Sequence, residues 1–185
     1  VTTTGTQAYD GAVLLTADVT AASTGSANIT FGDTVDGNQS LTVNTTGITR
    51  FNGKVGEGAV LTSLTTNAGG TTILNASQFR AGAIDFGDAI TVEQSTLVRG
   101  DTAVTFQSTV QGLAGTENLT VTSGGTIDLN GNLSQLHDLT LNGTTQTTVN
   151  GTININGALT TDASGSTKLN TATITAGTVD FQDAV

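Results

Sequence analysis

The chain contains no cysteine, proline, methionine or tryptophan, and aromatic residues make up only 4 % of it. Without cysteine it can form neither a disulfide framework nor a thiolate metal site. Without proline, every backbone N–H is free to join a β-ladder. No run of about 20 apolar residues is present, so we expect no transmembrane helix. No signal peptide is recognisable, and we expect any export signal to lie outside this chain.

Charge is also scarce, and it is mostly of one sign. Only 11 % of the 185 residues are charged, and five basic against 15 acidic residues give a formal net charge of −10. Nucleic-acid binding depends on clustered Lys and Arg, so this balance argues against a nucleic-acid partner. It argues equally against anionic membrane surfaces and membrane insertion. Multivalent cations are the natural counter-ions of such a chain.

The remaining composition suits β-structure rather than disorder. Hydrophobic residues make up 36 % of the chain, and 24 residues are glycine. Regular Val, Ile, Leu and Phe in a chain of low charge can bury a core. Threonine contributes about a fifth of the residues, and Thr, Val and Ile fit a pleated surface. Asn, Asp and Gly supply the turns.

A short frame recurs along the whole chain. It consists of a large apolar residue, two or three small turn-forming residues, and a second apolar residue four positions after the first, as in Phe31-Gly32-Asp33-Thr34-Val35. We expect the first residue of each frame to form the structural core. These residues are Tyr9, Phe31, Phe51, Leu74, Phe86, Phe106, Leu129, Val149, Leu169 and Phe181.

The frame returns at a nearly constant spacing, with a period of about 20 residues that is typical of repeat proteins. Two residues before most core positions stands another apolar residue or a Thr, and this spacing of two is typical of a strand. About ten residues after many of them comes a further strand. Its copies are Leu41-Thr42-Val43, Leu64-Thr65-Thr66, Leu119-Thr120-Val121, Leu139-Thr140-Leu141 and Leu159-Thr160-Thr161.

One unit therefore holds about three short strands joined by turns, and it cannot bury its apolar face alone. Stacking one unit on the next aligns Phe over Phe and Val over Val. The pattern predicts an all-β fold, a parallel β-helix or β-solenoid with coils of about 20 residues. Roughly nine coils would give a rod about 40 Å long, at the usual spacing between strands. A β-sandwich does not predict one constant period with aligned turns.

Two steps are shorter, and they leave an alternative open. The steps from Leu74 to Phe86 and from Leu169 to Phe181 are little more than half of a full period, and both segments lack the Leu-Thr-Val strand. Either the coil is abbreviated there, or the frame moves to another face of the prism. We predict one solenoid segment, 1–185, with superrepeat units at approximately 5–81 and 82–176 and a partial third copy at 177–185. Neither end resembles a polar cap, so we expect a segment of a longer array or a subunit that stacks end to end.

The text of the repeats also resembles a known class of proteins. GTQAYDGAV (5–13), NITFGDTVDG (28–37) and QSLTVNTTG (39–47) are similar to repeats of filamentous-haemagglutinin-like exoproteins and autotransporter-type adhesins, which are very large bacterial surface proteins. The resemblance covers essentially the whole chain. It implies a right-handed parallel β-helix at the bacterial cell surface, without catalytic residues. The implied partners are neighbouring repeats, identical subunits end to end, and host or matrix glycans.

Paired aspartates are the nearest approach to a chemical site. The pairs are Asp33 and Asp36, Asp85 and Asp88, and Asp180 and Asp183. Paired carboxylates could perform acid–base chemistry or bind Ca²⁺. Their spacing is not that of an EF-hand, and the Gly-rich Ca²⁺ nonapeptide is absent. We favour the interpretation that each Asp flanks a buried residue and caps a turn, with weak Ca²⁺ binding as the alternative and no other cofactor.

Other polar residues give weaker signals. His137 stands beside Asp138, but neighbouring residues of a strand point to opposite faces, so we expect a solvated loop histidine rather than a dyad. Arg50 and Lys54 occupy variable positions of the frame, and we expect them to be lone surface charges. A flat ice-binding array of threonines, suggested by Thr145, Thr147 and residues 171–175, conflicts with the mixed outward positions of the frame.

The expected function is therefore structural. The sequence favours a structural or adhesive stalk segment of an extracellular bacterial surface fibre, and it predicts no enzyme. The alternative is a filament subunit that assembles end to end. A more remote alternative is a β-helix enzyme that acts on polysaccharides.

Overall fold

A computed structural model describes residues 1–170 and 173–185 of the chain. All of the regular structure in these residues is β, and neighbouring strands pair in parallel from one coil to the next. Leu119, Leu139 and Leu159 pair in register on successive coils, at the spacing of the sequence repeat. The predicted all-β solenoid and the predicted length of its coils are thereby confirmed. Each coil has three faces, which we number in the order in which the chain passes through them.

Face 1 is a sheet of nine parallel strands, one from each coil. Each strand contributes alternate side chains to the interior, as the period of two predicts. The strands are Gln7–Tyr9, Ile29–Phe31, Ile48–Phe51, Thr71–Leu74, Ala89–Val92, Val110–Gly112, Leu133–Ser134, Ile153–Asn154 and Ile174–Thr175.

Face 2 begins with the two-stranded sheet of Val13–Leu14 and Val35–Asp36. Isolated bridges from Val35 to Val55 and from Val55 to Phe79 extend it into the next two coils. Two long strands, Gln78–Phe86 and Thr96–Phe106, then run from face 2 onto face 3, so residues 78–81 and 96–100 belong to face 2. The later strands of face 2 are Leu119–Ser123, Leu139–Gly143, Ala158–Thr161 and Thr178–Asp180.

Face 3 closes each coil. It includes residues 83–86 and 103–106 of the two long strands, which pair with each other. The bend between the two parts coincides with a register shift between Ala81 and Ala83. The other strands of face 3 are Thr2–Thr3, Val19–Ser23, Ser40–Asn44, Leu61–Thr66, Thr126–Leu129, Gln146–Val149 and Thr167–Leu169.

One continuous apolar core runs along the axis of the solenoid. Seven of the ten predicted core residues are at most 2 % exposed: Phe31, Phe51, Leu74, Phe86, Phe106, Leu129 and Val149. Tyr9, Leu169 and Phe181 are only partly buried against this core. The threonines predicted to point inward, among them Thr49, Thr72 and Thr147, are also buried.

The predicted core residues do not form a single column. Leu74 pairs with Phe51 and with Val92 on face 1. Phe86 instead pairs with Thr66 and Phe106 on face 3. Of the two alternatives left open at the first short step, the structure therefore shows the second: the frame moves to another face.

The physical reason is the length of a coil. A step of one full period passes through all three faces and returns to the same one. The shorter segment from Leu74 to Phe86 passes only from face 1 to face 3 of the same coil. The second short step behaves alike, because Val179 and Asp180, which precede Phe181, pair with Leu159 and Thr160 on face 2.

Phe79 joins the aromatic residues of the different faces, and the sequence did not identify it as a core residue. Tyr9, Phe31 and Phe51 are stacked on face 1 with ring centroids 5.0 Å apart. Phe79 on face 2 contacts Phe51 edge to face at 5.6 Å. It contacts Phe86 on face 3 in the same manner at 6.3 Å.

Candidate functional site

The predicted calcium ligands are separated rather than brought together. Asp33 caps its own turn, since its Oδ1 accepts a hydrogen bond of 2.7 Å from the Thr34 N–H. Asp36 Oδ1 instead accepts hydrogen bonds from the N–H groups of Gly58 and Ala59 in the next coil, at 2.8 and 3.2 Å. The interpretation of a turn cap therefore holds for Asp33, whereas Asp36 ties two coils together.

Asp85 and Asp88 point in different directions although they are close in sequence. Asp85 lies on the outer surface of face 3, where its Oδ1 accepts a hydrogen bond of 3.2 Å from Gln107 Nε2. Asp88 is 1 % exposed. Its carboxylate accepts hydrogen bonds from the Gly70 N–H at 2.8 Å and from the Thr72 hydroxyl at 3.1 Å. Burial raises the pKa of Asp88, although these two hydrogen bonds partly oppose the shift.

Asp183 repeats this arrangement near the end of the chain. Its two carboxylate oxygens accept hydrogen bonds from the hydroxyls of Thr161 and Thr167, at 2.9 and 2.8 Å. Burial raises the pKa of the neighbouring Asp162, and the charge on Asp183 raises it further. Asp180 is engaged separately, by Gln182 Nε2 at 3.1 Å.

The six aspartates therefore act as separate hydrogen-bond acceptors. Over residues 1–170 and 173–185, no three His, Asp or Glu side chains gather into a group that could hold a metal ion. Four of these carboxylates, on Asp36, Asp85, Asp88 and Asp183, instead bridge different coils.

Glu117 is the most extensively hydrogen-bonded carboxylate described, and the sequence did not single it out. It is 6 % exposed, in the loop between Gly112 and Leu119. Its oxygens accept hydrogen bonds from the N–H groups of Ala114, Gly115 and Thr116, at 3.0 to 3.3 Å. Burial by itself would raise the pKa of Glu117, but these hydrogen bonds outweigh it and lower the pKa. The step from Phe106 to Leu129, which contains this loop, is longer than the usual period, but the step from Phe51 to Leu74 is equally long, so the spacing does not single out Glu117.

His137 and Asp138 lie side by side at the surface. His137 Nδ1 is 3.1 Å from Asp138 Oδ1, and the side chain of His137 is 53 % exposed. Both residues lie in the turn before a face 2 strand, so the argument that they must point to opposite sides does not apply. Asp138 Oδ1 also accepts a hydrogen bond of 2.8 Å from the Ala158 N–H. This bond is the main reason why the pKa of Asp138 is lowered.

The expectation of lone surface charges is wrong for Arg50 and Lys54. Arg50 forms a two-pronged ion pair with Glu93, and its Nε donates a 2.8 Å hydrogen bond to Asn52 Oδ1. Glu93 lies two coils further along face 1, so the long arginine side chain spans the intervening coil. Lys54 pairs with Glu57 in the same coil. Because Glu93 is so distant from Arg50 in sequence, no residue near Arg50 indicates that the two form an ion pair.

A ladder of side-chain amides follows the corner after face 3. The amide nitrogen of each residue donates to the residue one coil earlier, at 2.6 to 3.2 Å. The sequence predicted only turn formers here. The chain of donors runs from Asn170 through Asn150, Asn130 and Gln107 to the carboxylate of Asp85. Hydrogen bonds outside the core thus also tie each coil to the next.

Among residues 1–170 and 173–185, two of the cavities that open to solvent stand out, and neither gathers catalytic groups. A cavity of about 240 Å³ lies in the coil of Tyr9 and has a mainly apolar lining that includes Leu15 and Phe31. A shallow groove of about 520 Å³ follows the corner after face 3 and is lined by hydroxyl and amide groups. These groups bond to one another, as Thr46 Oγ1 does to Ser26 Oγ at 2.6 Å.

The outward threonines form short columns rather than a uniform array. On face 2, Thr120, Thr140 and Thr160 pair in register over three coils. On face 3 the corresponding column is mixed, because Asp85 pairs with Thr65 on one side and Thr105 on the other. Residues 171 and 172, which belong to the threonine array that the sequence argued against, lie outside the described residues.

Comparisons of the chain with protein-family models, with curated proteins and with solved structures find no match. No helix in the described part of the chain is long and apolar enough to cross a membrane.

Proposed function

We propose that this chain is a structural segment of a stalk or fibre at a bacterial cell surface, and that its role is mechanical. The observation that carries the proposal is the continuity of stacking. Strands pair in register through nine successive coils of face 1, and one apolar core follows them. Nine coils at the usual strand spacing make a rod about 40 Å long.

The contacts between coils support a stiff spacer. Neighbouring coils are joined by backbone pairing on three faces, which on face 2 is reduced to isolated bridges at Val55. The amide ladder joins the coils from Asp85 to Asn170, and the ion pair of Arg50 with Glu93 spans two coils. Bending the rod would break several of these contacts between coils at once. In a repeat protein the contacts between neighbouring repeats carry most of the stability.

Three features support an extracellular location. The amino-acid sequence of the repeats resembles that of bacterial surface adhesins. The absence of cysteine suits export, because no thiol can be oxidised on the way. The net charge of −10 keeps neighbouring fibres apart in solution. Host or matrix glycans remain the proposed partners of the complete fibre.

A second candidate function is assembly of identical chains end to end. It is favoured by the cavity beside Tyr9 and by the exposed Leu14, which is 69 % accessible on the same coil. A further coil stacked there would cover this apolar surface. That coil could belong to the same polypeptide or to another copy.

Electron microscopy of the purified chain at several concentrations separates these functions. Single rods about 40 Å long at every concentration support the spacer. Fibres that lengthen with concentration support end-to-end assembly. Round or irregular particles would overturn both, since neither function survives without the rod.

We propose no enzymatic activity. His137 and Asp138 lie on the exposed surface, and Asp88 is enclosed by its own hydrogen-bond donors. Incubation with acidic polysaccharides and Ca²⁺ should therefore release no products. Cleavage that is lost in a His137→Ala variant would contradict this proposal.

A further inference from the structure

Two of the few basic residues occupy the same position on adjacent coils of face 2. Arg80 pairs in register with Arg99 in the parallel ladder. Both alternate with inward residues, since Phe79, Ala81 and Val98 are buried on the other side of the sheet. Parallel strands lie about 4.8 Å apart, so the two arginines leave the sheet one above the other. Like charges placed directly opposite each other destabilise a sheet.

The acidic residues of the chain do not neutralise this pair. Within the described residues, the guanidinium of Arg80 makes no hydrogen bond or ion pair, although its Nε is buried. Arg99 approaches only Asp101, at 3.8 Å, and both side chains are 49 % exposed. An exposed ion pair at this distance contributes little to the free energy of folding. Arg50, by contrast, is fully engaged by Glu93 and Asn52.

The outward positions that follow the pair along face 2 are neutral. Thr122 follows Arg99 in the same column, and Asn142 follows Thr122. On the preceding coil Val55 pairs with Phe79, so Lys54 lies level with Gln78, but the charge of Lys54 is compensated by Glu57. Apart from the weak contact of Arg99 with Asp101, the two arginines therefore present uncompensated positive charge on a strongly acidic chain.

We propose that Arg80 and Arg99 form a binding site for an oxyanion, such as sulfate, phosphate or a carboxylate. The guanidinium group presents its donors in a fork that fits these anions. A bound oxyanion would give an acceptor to the terminal N–H groups of the Arg80 guanidinium, which has no partner within the described residues. It would also offset the repulsion within the pair. The site is independent of the proposed mechanical role.

The three arginines permit a direct test by nuclear magnetic resonance. The Nε–Hε signals of Arg50, Arg80 and Arg99 are followed during titration with sodium sulfate, with sodium chloride at equal ionic strength as the reference. The site predicts saturable shifts at Arg80 and Arg99, while Arg50 stays in place. Equal shifts at all three arginines, or none at Arg80 and Arg99, would overturn the proposal.

An Arg99→Thr variant provides a second, independent readout. Threonine already occupies the next position of this column, at Thr122, so the variant should fold. Removing one of two like charges should raise the midpoint of thermal unfolding in chloride by about 1–3 °C. Sulfate also stabilises folded proteins generally, because it is excluded from their surface, so its stabilisation over chloride should become smaller in Arg99→Thr rather than vanish. An Arg50→Gln variant should keep the stabilisation of the unsubstituted chain, and an equal decrease in both variants, or no decrease in Arg99→Thr, would contradict the site.

Discussion

The ring of Phe79 stands nearly perpendicular to the ring of Phe51, at an interplanar angle of 86° and a centroid distance of 5.6 Å. It meets Phe86 in a similar way, at 82°. One side chain on face 2 thus connects the aromatic stack of face 1 with that of face 3. The core remains continuous in the coil where the repeat frame changes face.

Replacement of Phe79 should therefore be more harmful than its place outside the frame suggests. Phe79→Ala should reduce the free energy of unfolding by about 3–5 kcal/mol, because it removes a fully buried ring. Denaturant unfolding measures this change. Phe79→Val, which matches Val55 and Val98 in the same column, should cost less. Equal stability of Phe79→Ala and the unsubstituted chain would contradict the connecting role.

Gly151 should tolerate no side chain. A Cβ atom built on it would lie 2.2 Å from the carbonyl oxygen of Gly131 in the previous coil. This oxygen belongs to the backbone and cannot turn aside as a flexible side chain would, so Gly151→Ala must move one coil away from the other. We expect the free energy of unfolding to fall by about 1–3 kcal/mol. Gly11→Ala is the matched control, because nothing lies within 4 Å of its added Cβ. Similar unfolding midpoints for the two variants would show that the coils are not so closely packed there.

Asp88 should make stability depend on pH in the direction opposite to most acidic groups. Burial raises its pKa above the ordinary value of 3.8, so the ionised form is disfavoured in the folded chain. Its contribution to stability is complete below pH 3.8 and is lost as the pH rises through the folded-state pKa. The neutral amide of Asp88→Asn lacks this dependence.

Urea unfolding of the two proteins between neutral pH and pH about 3 measures the effect. The unsubstituted chain should gain stability relative to Asp88→Asn as the pH falls. A difference between the two free energies that stays constant, or changes in the other direction, would contradict the assignment.

The Arg50–Glu93 pair should contribute measurably in spite of its position at the surface. Its side chains are only 28 % and 20 % exposed, and the contact is two-pronged. A double-mutant cycle with Arg50→Gln and Glu93→Gln should give a coupling energy of about 0.5–1 kcal/mol, which decreases at high salt. Additive effects of the two substitutions would mean that the pair adds no stability.

The period of the repeats and the inward-pointing residues of each strand could be predicted, because both depend on residues that are close together in the sequence. The alternation around Phe31 and Phe86 indicates which side chains point inward, whatever the rest of the chain does. The constant spacing of the repeats then brings equivalent positions into register. Even the pairing of Arg80 with Arg99 in the ladder had a signal of this kind, since the two residues are nearly one coil apart.

The change of face could not be predicted, because the residues of the frame read alike on every face. Phe51 and Phe86 have similar neighbours in sequence, yet they belong to different sheets. The face on which a frame lies depends on the number of residues since the previous frame. A short step such as that from Leu74 to Phe86 would have the same number of residues if the coil were simply shortened, so the sequence does not distinguish the two cases. Contacts across two coils, such as Arg50 with Glu93, also depend on a register that no single repeat contains.

The changes of face have a consequence for any longer chain built on the same plan. The frame starts on face 1 at Tyr9, lies on face 3 at Phe86, and reaches face 2 with Val179 and Asp180. If the predicted superrepeats are the units of the chain, each is turned by about a third of a revolution relative to the one before. In a fibre of such units, equivalent surfaces would be distributed around the axis rather than lie along one side. Whatever its repeats display would face every direction in turn, so the fibre could meet a surface from any side without first having to rotate.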